Sequence, residues 1–182
     1  MVKTLKILFF SYAFVCAIPA QAAEYFLNLG TLAYRVKYLV GNEAIDNQRY
    51  NGNAITASVG IRNLMGSRQQ HALGFGVDTY EVDNQRLIGL RAIDYQYQFN
   101  SWLRAGAFIG AATLDSGLPQ NGYYLGVNFS VLKILYNTDV LFEYRNGNGL
   151  ARDRLLKDDP EGVKPDIFAD FNVAAIALNW RF

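Results

Sequence analysis

Few residues of this chain could carry out catalysis, and the most obvious candidate has no partner in the residues around it. His71 is the only histidine among the 182 residues, and Ala72 follows it directly. A histidine that activates a serine nucleophile must lie within hydrogen-bonding distance of that serine. Because His71 stands at the start of an alternating segment with no serine next to it, we interpret it as a structural side chain. We predict no catalytic residue.

Acidic residues in the predicted connecting segments are a second candidate set, because carboxylate oxygens are ligands for divalent cations. They are Asp46, Asp115, Asp158, Asp159, Glu161 and Asp166. Carboxylates in loops are commonly just solvated, and no histidine or cysteine accompanies these at a ligand spacing. We therefore predict no metal site and no cofactor.

A third set of charged residues lies where polar and apolar residues alternate. Ile55 and Val59 share one face of their segment, and Ser58 and Arg62 share the opposite face. A period of two is typical of a β-strand, whose successive side chains point to opposite sides. The charged residues that the pattern puts on the polar face are Arg62, Asp78, Asp94, Arg104, Glu143, Arg145 and Arg181.

Alternating segments recur along the chain and predict about eight strands. They lie near 25–38, 53–64, 71–82, 87–100, 102–114, 122–132, 134–146 and 167–182. Apolar residues make up 51% of the composition, yet the mean hydropathy is only +0.02, as expected when polar and apolar residues are finely mixed. After residue 22 no apolar run is long enough for a transmembrane helix.

The first 22 residues have the layout of a secretory signal peptide. Lys3 and Lys6 precede an almost wholly apolar stretch at 7–15, and a small-x-small cleavage site follows at 20–22. We predict cleavage after this site, which leaves one domain at 23–182.

Loss of that segment narrows the possible chemistry. It removes the lone cysteine, Cys16, and with it any disulfide or cysteine-based metal site. It also removes two lysines, so the formal charge falls from +1 to about −1. With no excess of basic residues, we do not expect a nucleic-acid partner.

The predicted strands fit two architectures that differ in where the apolar face points: a soluble sandwich or lipocalin-like barrel, and an outer-membrane barrel. About 9–11 residues cross a bilayer as a tilted strand, whereas soluble strands usually have about 5–6, so the segment lengths favour the membrane. Longer links at 39–52, 115–121 and 147–166 fall at one end of an up-and-down barrel, together with a short link at 83–86, opposite short links at 65–70, 101 and 133. That asymmetry is typical of membrane barrels.

Aromatic residues are expected in two belts at the lipid–water boundaries. One predicted belt contains Tyr25, Phe26, Phe99, Trp102, Tyr136, Trp180 and Phe182. The other contains Tyr34, Tyr38, Tyr50, Tyr80, Tyr123, Tyr144 and Phe168. A soluble core would gather its aromatic rings in the middle of the strands, so this distribution also favours the membrane.

The last strand ends in Leu178, Trp180 and Phe182 at alternate positions. This ending resembles the C-terminal signal by which the barrel-assembly machinery recognises bacterial outer-membrane barrels. The mature chain resembles small eight-stranded barrels of the OmpA and OmpX type. The stretches at 87–99, 106–112, 122–127, 151–162 and 165–166 also resemble an uncharacterised group of Gram-negative barrel proteins. The resemblance implies an all-β fold, an eight-stranded antiparallel up-and-down transmembrane β-barrel in the outer membrane of a Gram-negative cell.

The interior of such a barrel is just wide enough to be filled by side chains. We therefore expect the polar-face charges to pair inside and to plug the barrel, with Glu143 bound to Arg62, Arg104 or Arg145. Glycines are expected to make room for these side chains, at Gly74, Gly76, Gly106, Gly110 and Gly126. A gated narrow pore is the alternative interpretation of the same charges.

We predict a structural or surface-interaction role with outer-membrane lipids and lipopolysaccharide as partners. In the long link, Arg152, Arg154 and Lys157 are candidates to bind lipopolysaccharide phosphates. Two alternatives remain open: a lipid A-modifying enzyme of unrecognised type, and a small channel for apolar or tiny solutes. Known lipid A deacylases of this architecture carry a His-Ser pair on a strand, but the corresponding residues 142–150 contain no such pair.

Overall fold

The structure, a computed structural model of the chain, describes residues 23–40, 43–114, 122–151 and 167–182. These residues form β1 (Ala23–Val40), β2 (Glu43–Met65), β3 (His71–Val82), β4 (Gln85–Gln98), β5 (Leu103–Leu114), β6 (Gly122–Leu135), β7 (Thr138–Ala151) and β8 (Ile167–Arg181). Each strand pairs antiparallel with its neighbours in the sequence, and β1 pairs with β8 to close a barrel. The predicted eight-stranded up-and-down barrel is confirmed. The described ranges contain no helix that is long and apolar enough to cross a membrane.

The apolar faces of the strands point outward. Ile55 and Val59 are 76% and 52% exposed, whereas Ser58 and Arg62 between and beside them are buried. The interior is therefore the polar side of the alternation in this part of the barrel, which is the reverse of a soluble barrel.

The two ends of the barrel differ. One end, called here the terminal end, carries Ala23, the first residue of β1, the C-terminal Phe182 and the turns at 66–70, 99–102 and 136–137. There the backbone closes fully, because Phe182 N donates to Tyr25 O at 3.0 Å and Tyr25 N donates to Phe182 O at 3.2 Å. At the opposite end, called the loop end, β1, β3, β5 and β7 end and β2, β4, β6 and β8 begin.

The first hairpin differs from its prediction. We expected a long link at 39–52, but β1 continues to Val40 and β2 begins at Glu43. The strands persist because β1 is paired on both sides, with β2 and with β8, so its backbone hydrogen bonds are satisfied without an apolar face. Because the residues at the start of β2 are mostly polar, the alternation of polar and apolar residues could not reveal that the strand begins there.

The turn between β6 and β7 also lies elsewhere than predicted. Instead of residue 133, the turn is at 136–137, and β6 continues to Leu135. Lys133 has a positive φ of 58°, and its N–H donates to Asp139 Oδ1 at 2.7 Å. The register of β6 with β7 is irregular after Val131. The polar residue in this stretch therefore lies at an irregularity within the strand and does not mark a turn.

The predicted aromatic belts are correct only in part. At the terminal end the exposed rings are Tyr25, Phe99, Trp102, Tyr136 and Phe182, and towards the loop end they are Tyr50, Tyr123 and Tyr144. Phe26, Tyr38 and Tyr80 point into the barrel and are at most 4% exposed. These rings fill the lumen and do not belong to an outward belt.

The interior is apolar towards the loop end and charged towards the terminal end. The apolar cluster contains Leu32, Val36, Tyr38, Tyr80, Val82, Leu87, Phe108, Ala112, Leu114, Tyr124, Leu150, Ala169, Phe171 and Val173. Glycine permits the packing of some rings: an added Cβ at Gly126 would meet the Phe108 ring, and one at Gly110 would meet the Tyr124 ring. The apolar inward residues of β1 also explain why the first strand alternates poorly in the sequence.

Candidate functional site

The candidate site is the charged part of the barrel interior. Among the described residues, five arginines and five carboxylates are connected through successive ion pairs into one network. Its members are Glu24, Arg62, Asp78, Arg91, Asp94, Arg104, Asp139, Glu143, Arg145 and Arg181. The charges of these ten side chains sum to zero.

Glu24 is the centre of the network at the terminal end. Its Oε1 lies 2.8 Å from Nη1 of Arg104 and 3.6 Å from Nη1 of Arg62, and its Oε2 lies 3.5 Å from Nη1 of Arg181. Arg181 also binds Asp139, with 2.6 Å between Nε and Oδ2. One carboxylate of β1 thus contacts arginines of β2, β5 and β8, which fixes these strands relative to one another across the lumen.

Arg91 of β4 is the centre of the network in the middle of the barrel, and its side chain is 0% exposed. Its Nη1 lies 2.8 Å from Oε1 of Glu143 on β7, and its Nη2 lies 2.9 Å from Oδ1 of Asp78 on β3. Glu143 also binds Arg145, and Arg145 Nη2 lies 3.6 Å from Asp78 Oδ1. Two arginines and two carboxylates therefore alternate around a closed ring of contacts.

Arg62 and Asp94 join the two parts of the network. Arg62 Nε donates to Asp94 Oδ2 at 2.9 Å, and the same oxygen lies 3.8 Å from Arg91 Nη1. Asp94 also accepts hydrogen bonds from the side-chain amides of Gln96 and Asn128 at 3.3–3.4 Å. The carboxylate is thus held by donors from two other strands, β2 and β6, and by donors of its own strand.

Aromatic rings cover two of the buried arginines. The guanidinium carbon of Arg62 lies 3.9 Å from the ring centroid of Phe26, and that of Arg91 lies 3.9 Å from the centroid of Phe108. A planar guanidinium can stack on a ring while its edge binds carboxylates. Stacking therefore fills the space beside these two guanidinium groups and keeps water away from them.

This arrangement links the barrel walls. Arg91 binds Glu143 from β4 to β7, and Glu24 binds Arg104 from β1 to β5, so both pairs cross the lumen. Charges buried in a low-dielectric interior are costly unless they are paired, and removal of one partner leaves the other uncompensated. The geometry therefore suits a plug that holds the strands together.

All seven charged residues predicted for the interior lie in this network. Of the three predicted partners for Glu143, the structure brings Arg145 to it, whereas Arg62 binds Asp94 and Glu24, and Arg104 binds Glu24.

Sequence reasoning missed Arg91, because a β-bulge reverses its direction. Strict alternation with Asp94 would point Arg91 outward. Instead, both Ala92 and Ile93 point outward, since the register with β3 shifts between Gly74 and Gly76 and places two residues of β4 opposite one of β3. The residues of β4 alone do not show where the bulge lies, so the direction of Arg91 could not be predicted from them.

Glu24 and Asp139 were also missed, although a signal existed for one of them. Asp139 has the same parity on β7 as Glu143 and Arg145, which places it on the inward face. Glu24 stands at the start of β1, where both faces are apolar and alternation does not say which face is inward.

The three residues of the predicted assembly signal lie on the outward face of β8 and the chain end. Leu178 and Phe182 are 44% and 73% exposed, and Trp180 is partly exposed. Two other predictions, the lipopolysaccharide contacts of Arg152, Arg154 and Lys157 and the signal peptide at 1–22, lie outside the described residues.

His71 lies at the terminal end, where β3 begins. Its Nδ1 is 2.8 Å from the Tyr95 hydroxyl, and its ring centroid is 5.1 Å from that of Tyr97. These neighbours are aromatic residues of the adjacent strand β4. Within the described ranges, no group of three or more histidine, cysteine, aspartate or glutamate side chains is arranged to hold a metal ion.

Comparisons with known proteins identify the fold. The structure resembles Ail, the attachment invasion locus protein of Yersinia pestis in complex with the heparin analogue sucrose octasulfate, with a TM-score of 0.52, 11% identity, and coverage of 89% of this chain and 100% of Ail. It also resembles Neisserial surface protein A (TM-score 0.47, 16% identity, 89% and 100% coverage) and OprG of Pseudomonas aeruginosa (0.45, 8%, 88% and 96%). No family model and no curated protein sequence matches the chain. At such identities what is shared is the fold.

Proposed function

We infer from its fold, that of the small eight-stranded outer-membrane β-barrels, that this chain spans the outer membrane of a Gram-negative cell and has a structural or surface-interaction role. One observation carries the proposal: Arg91 is fully buried and crosses the lumen to Glu143 at 2.8 Å. A side chain in this position occupies the space that a solute would need. The interior charges then act as a plug, and the protein works through its outer surface.

The exterior supports a membrane location. Large apolar side chains on neighbouring strands are exposed, among them Val77, Leu90, Ile109 and Leu125 at 43–52%. Exposed apolar area of this extent is unfavourable in water and favourable in lipid. Its partners are then outer-membrane lipids, lipopolysaccharide and, during biogenesis, the barrel-assembly machinery. Contacts of Arg152, Arg154 and Lys157 with lipopolysaccharide remain part of this proposal.

The mature protein is expected to begin at Ala23, after removal of a signal peptide at 1–22. Cleavage there leaves Glu24 in place, whose carboxylate binds three arginines of the network. Processing only two residues later would remove this carboxylate. N-terminal sequencing or intact-mass measurement of protein from the outer membrane checks the prediction, and retention of residues 1–22 would contradict it.

The plug is tested by electrical recording. The purified protein, inserted into a planar lipid bilayer, is expected to give no stable conductance steps, because side chains fill an eight-stranded lumen. A wide general porin in the same bilayer serves as the positive control. Reproducible steps from the unmodified protein would overturn the plug and favour a channel. A change in lipid A mass that depends on the protein would overturn the structural role in favour of an enzyme.

A further inference from the structure

A polar groove interrupts the outer wall of the barrel near the loop end. It has a volume of about 670 Å³ and lies on β7, β8, β1 and β2. We call it the rim groove; its lining residues include Ala33, Arg35, Asn51, Tyr144, Asn172 and Ala174. Towards the terminal end, the same wall exposes Ile55 and Ile176, so the groove begins where the apolar surface stops.

Strand register places its polar residues in a straight row. Asn146 pairs with Asn172, Asn172 with Arg35, and Arg35 with Asn51, so the row crosses four neighbouring strands. The next row towards the terminal end contains Tyr144, Ala174, Ala33 and Asn53. The two alanines of that row form a shallow floor between larger side chains.

Hydrogen bonds orient the amides of this row. Asn172 Oδ1 accepts from the Tyr144 hydroxyl at 2.8 Å and from Asn146 Nδ2 at 3.0 Å, and Asn146 Oδ1 accepts from Asn148 Nδ2 at 3.0 Å. Arg35 donates through Nε to Asn51 Oδ1 at 3.2 Å. A guanidinium has five N–H donors, and this is the one that Arg35 uses among the described residues, which leaves both Nη groups for a ligand.

The charge of this wall is positive. Towards the loop end, the row beyond Arg35 contains Lys37, paired in register with Arg49 on β2 and with Asp170 on β8. Three cations and one anion leave an excess of two positive charges beside the groove. Arginine in particular binds phosphate oxygens in a bidentate geometry.

The position of the groove along the barrel axis indicates which part of the membrane it contacts. It faces sideways, into the membrane, yet it is polar and lies above the exposed apolar band, at the level of lipid headgroups on the loop-end side. In the outer leaflet, headgroups at this level are phosphorylated sugars. Amides suit sugar hydroxyls, the cations suit phosphate, and an exposed ring such as Tyr144 can pack on the apolar face of a sugar.

We propose that the rim groove binds the phosphorylated disaccharide headgroup of one lipopolysaccharide molecule. Arg35 contacts a phosphate, Asn51 and Asn172 contact sugar hydroxyls, and the acyl chains descend along the apolar wall below Ala33 and Ala174. The site is separate from the predicted contacts in the 147–166 link. This inference rests on the outer-membrane location given under the proposed function.

The test measures binding of purified lipid A to the barrel in detergent, with bisphosphorylated and dephosphorylated lipid A as probes. Arg35→Gln removes the phosphate contact, and Ala33→Trp fills the floor without changing charge. Each is expected to weaken binding of bisphosphorylated lipid A about tenfold or more, as for loss of one charged hydrogen bond. Dephosphorylated lipid A is expected to bind weakly to the parent, and added salt to weaken the phosphorylated probe.

Matched controls lie away from the groove. Arg68→Gln removes an exposed cation at the terminal end, and Ala111→Trp enlarges an exposed alanine near the loop end of β5. Both should bind lipid A like the parent. The proposal fails if either groove variant also binds like the parent, or if the controls weaken binding as much as the groove variants do. Because the assay uses folded barrel in detergent, such a failure leaves the membrane location standing; that location fails separately, if cell fractionation finds the protein outside the outer membrane.

Discussion

Replacement of Arg91 by methionine is expected to destabilise the folded barrel by about 3–5 kcal/mol, the range for removal of one partner from a buried ion pair. Arg91 is 0% exposed and binds Asp78 and Glu143 at 2.8–2.9 Å. Methionine fills part of the space but leaves two carboxylates facing a single remaining cation, Arg145. The excess negative charge has no access to bulk water, so its cost remains in the folded state.

Urea unfolding of the refolded barrel in lipid vesicles measures this loss as a lower midpoint. Arg86→Met, on the same strand but exposed to the outside, is the matched control and is expected to change stability by less than about 0.5 kcal/mol. A triple variant with Arg91→Met, Asp78→Asn and Glu143→Gln should recover part of the stability, because the unpaired negative charges are neutralised. Equal midpoints for Arg91→Met and Arg86→Met would show that water or other groups compensate these charges, and the dry plug would be wrong.

Replacement of Phe182 by aspartate is expected to reduce the outer-membrane level of the protein several-fold. The Phe182 side chain is 73% exposed and contributes little to the packing of the interior. Its backbone closes the barrel through two hydrogen bonds with Tyr25. Aspartate preserves this backbone. A charge on the lipid face near the membrane boundary costs only about 0–1 kcal/mol. A large fall would therefore reflect lost recognition by the assembly machinery, not lost stability.

Tyr136→Asp is the matched control, because Tyr136 is an aromatic residue at the same end and is 93% exposed. Its level should stay close to that of the parent. Refolding of both variants in detergent separates the two causes: Phe182→Asp should refold normally there, where no assembly machinery is present. Unchanged outer-membrane levels of Phe182→Asp would remove the residue from the assembly signal, and failure to refold would assign it a structural role instead.

The alternation of side chains along the chain was sufficient to predict most of the strands and the side of each that faces outward. Successive side chains of a strand point in opposite directions, so Ile55 and Val59 reveal their common face, and Arg62 its opposite face, from spacing alone. Strands of membrane length then imply a barrel, because a spanning sheet must have no open edge. The same alternation of side chains was sufficient to place Leu178 and Phe182 on the outer face.

Where the direction of a side chain or the start of a strand departs from the pattern of alternation, the tertiary structure determined it. A single bulged residue turned Arg91 inward, and its direction depends on the register with β3, which the residues of β4 do not encode by themselves. Similarly, β2 begins ten residues earlier than its predicted start at 53, because pairing with β1 holds it extended.

For a related reason, the sequence did not predict which interior charges form ion pairs with one another. Alternation assigns a charge to the interior but not to a height within it, and the height depends on the shear of the closed barrel. Glu24 meets Arg104, 80 residues away, because closure brings β1 and β5 to opposite sides of one narrow lumen. The rim groove likewise exists only once closure sets the C-terminal strand β8 beside β1. Spacing therefore determined which face each residue occupies, whereas register and closure, which depend on the whole chain, determined which residues meet.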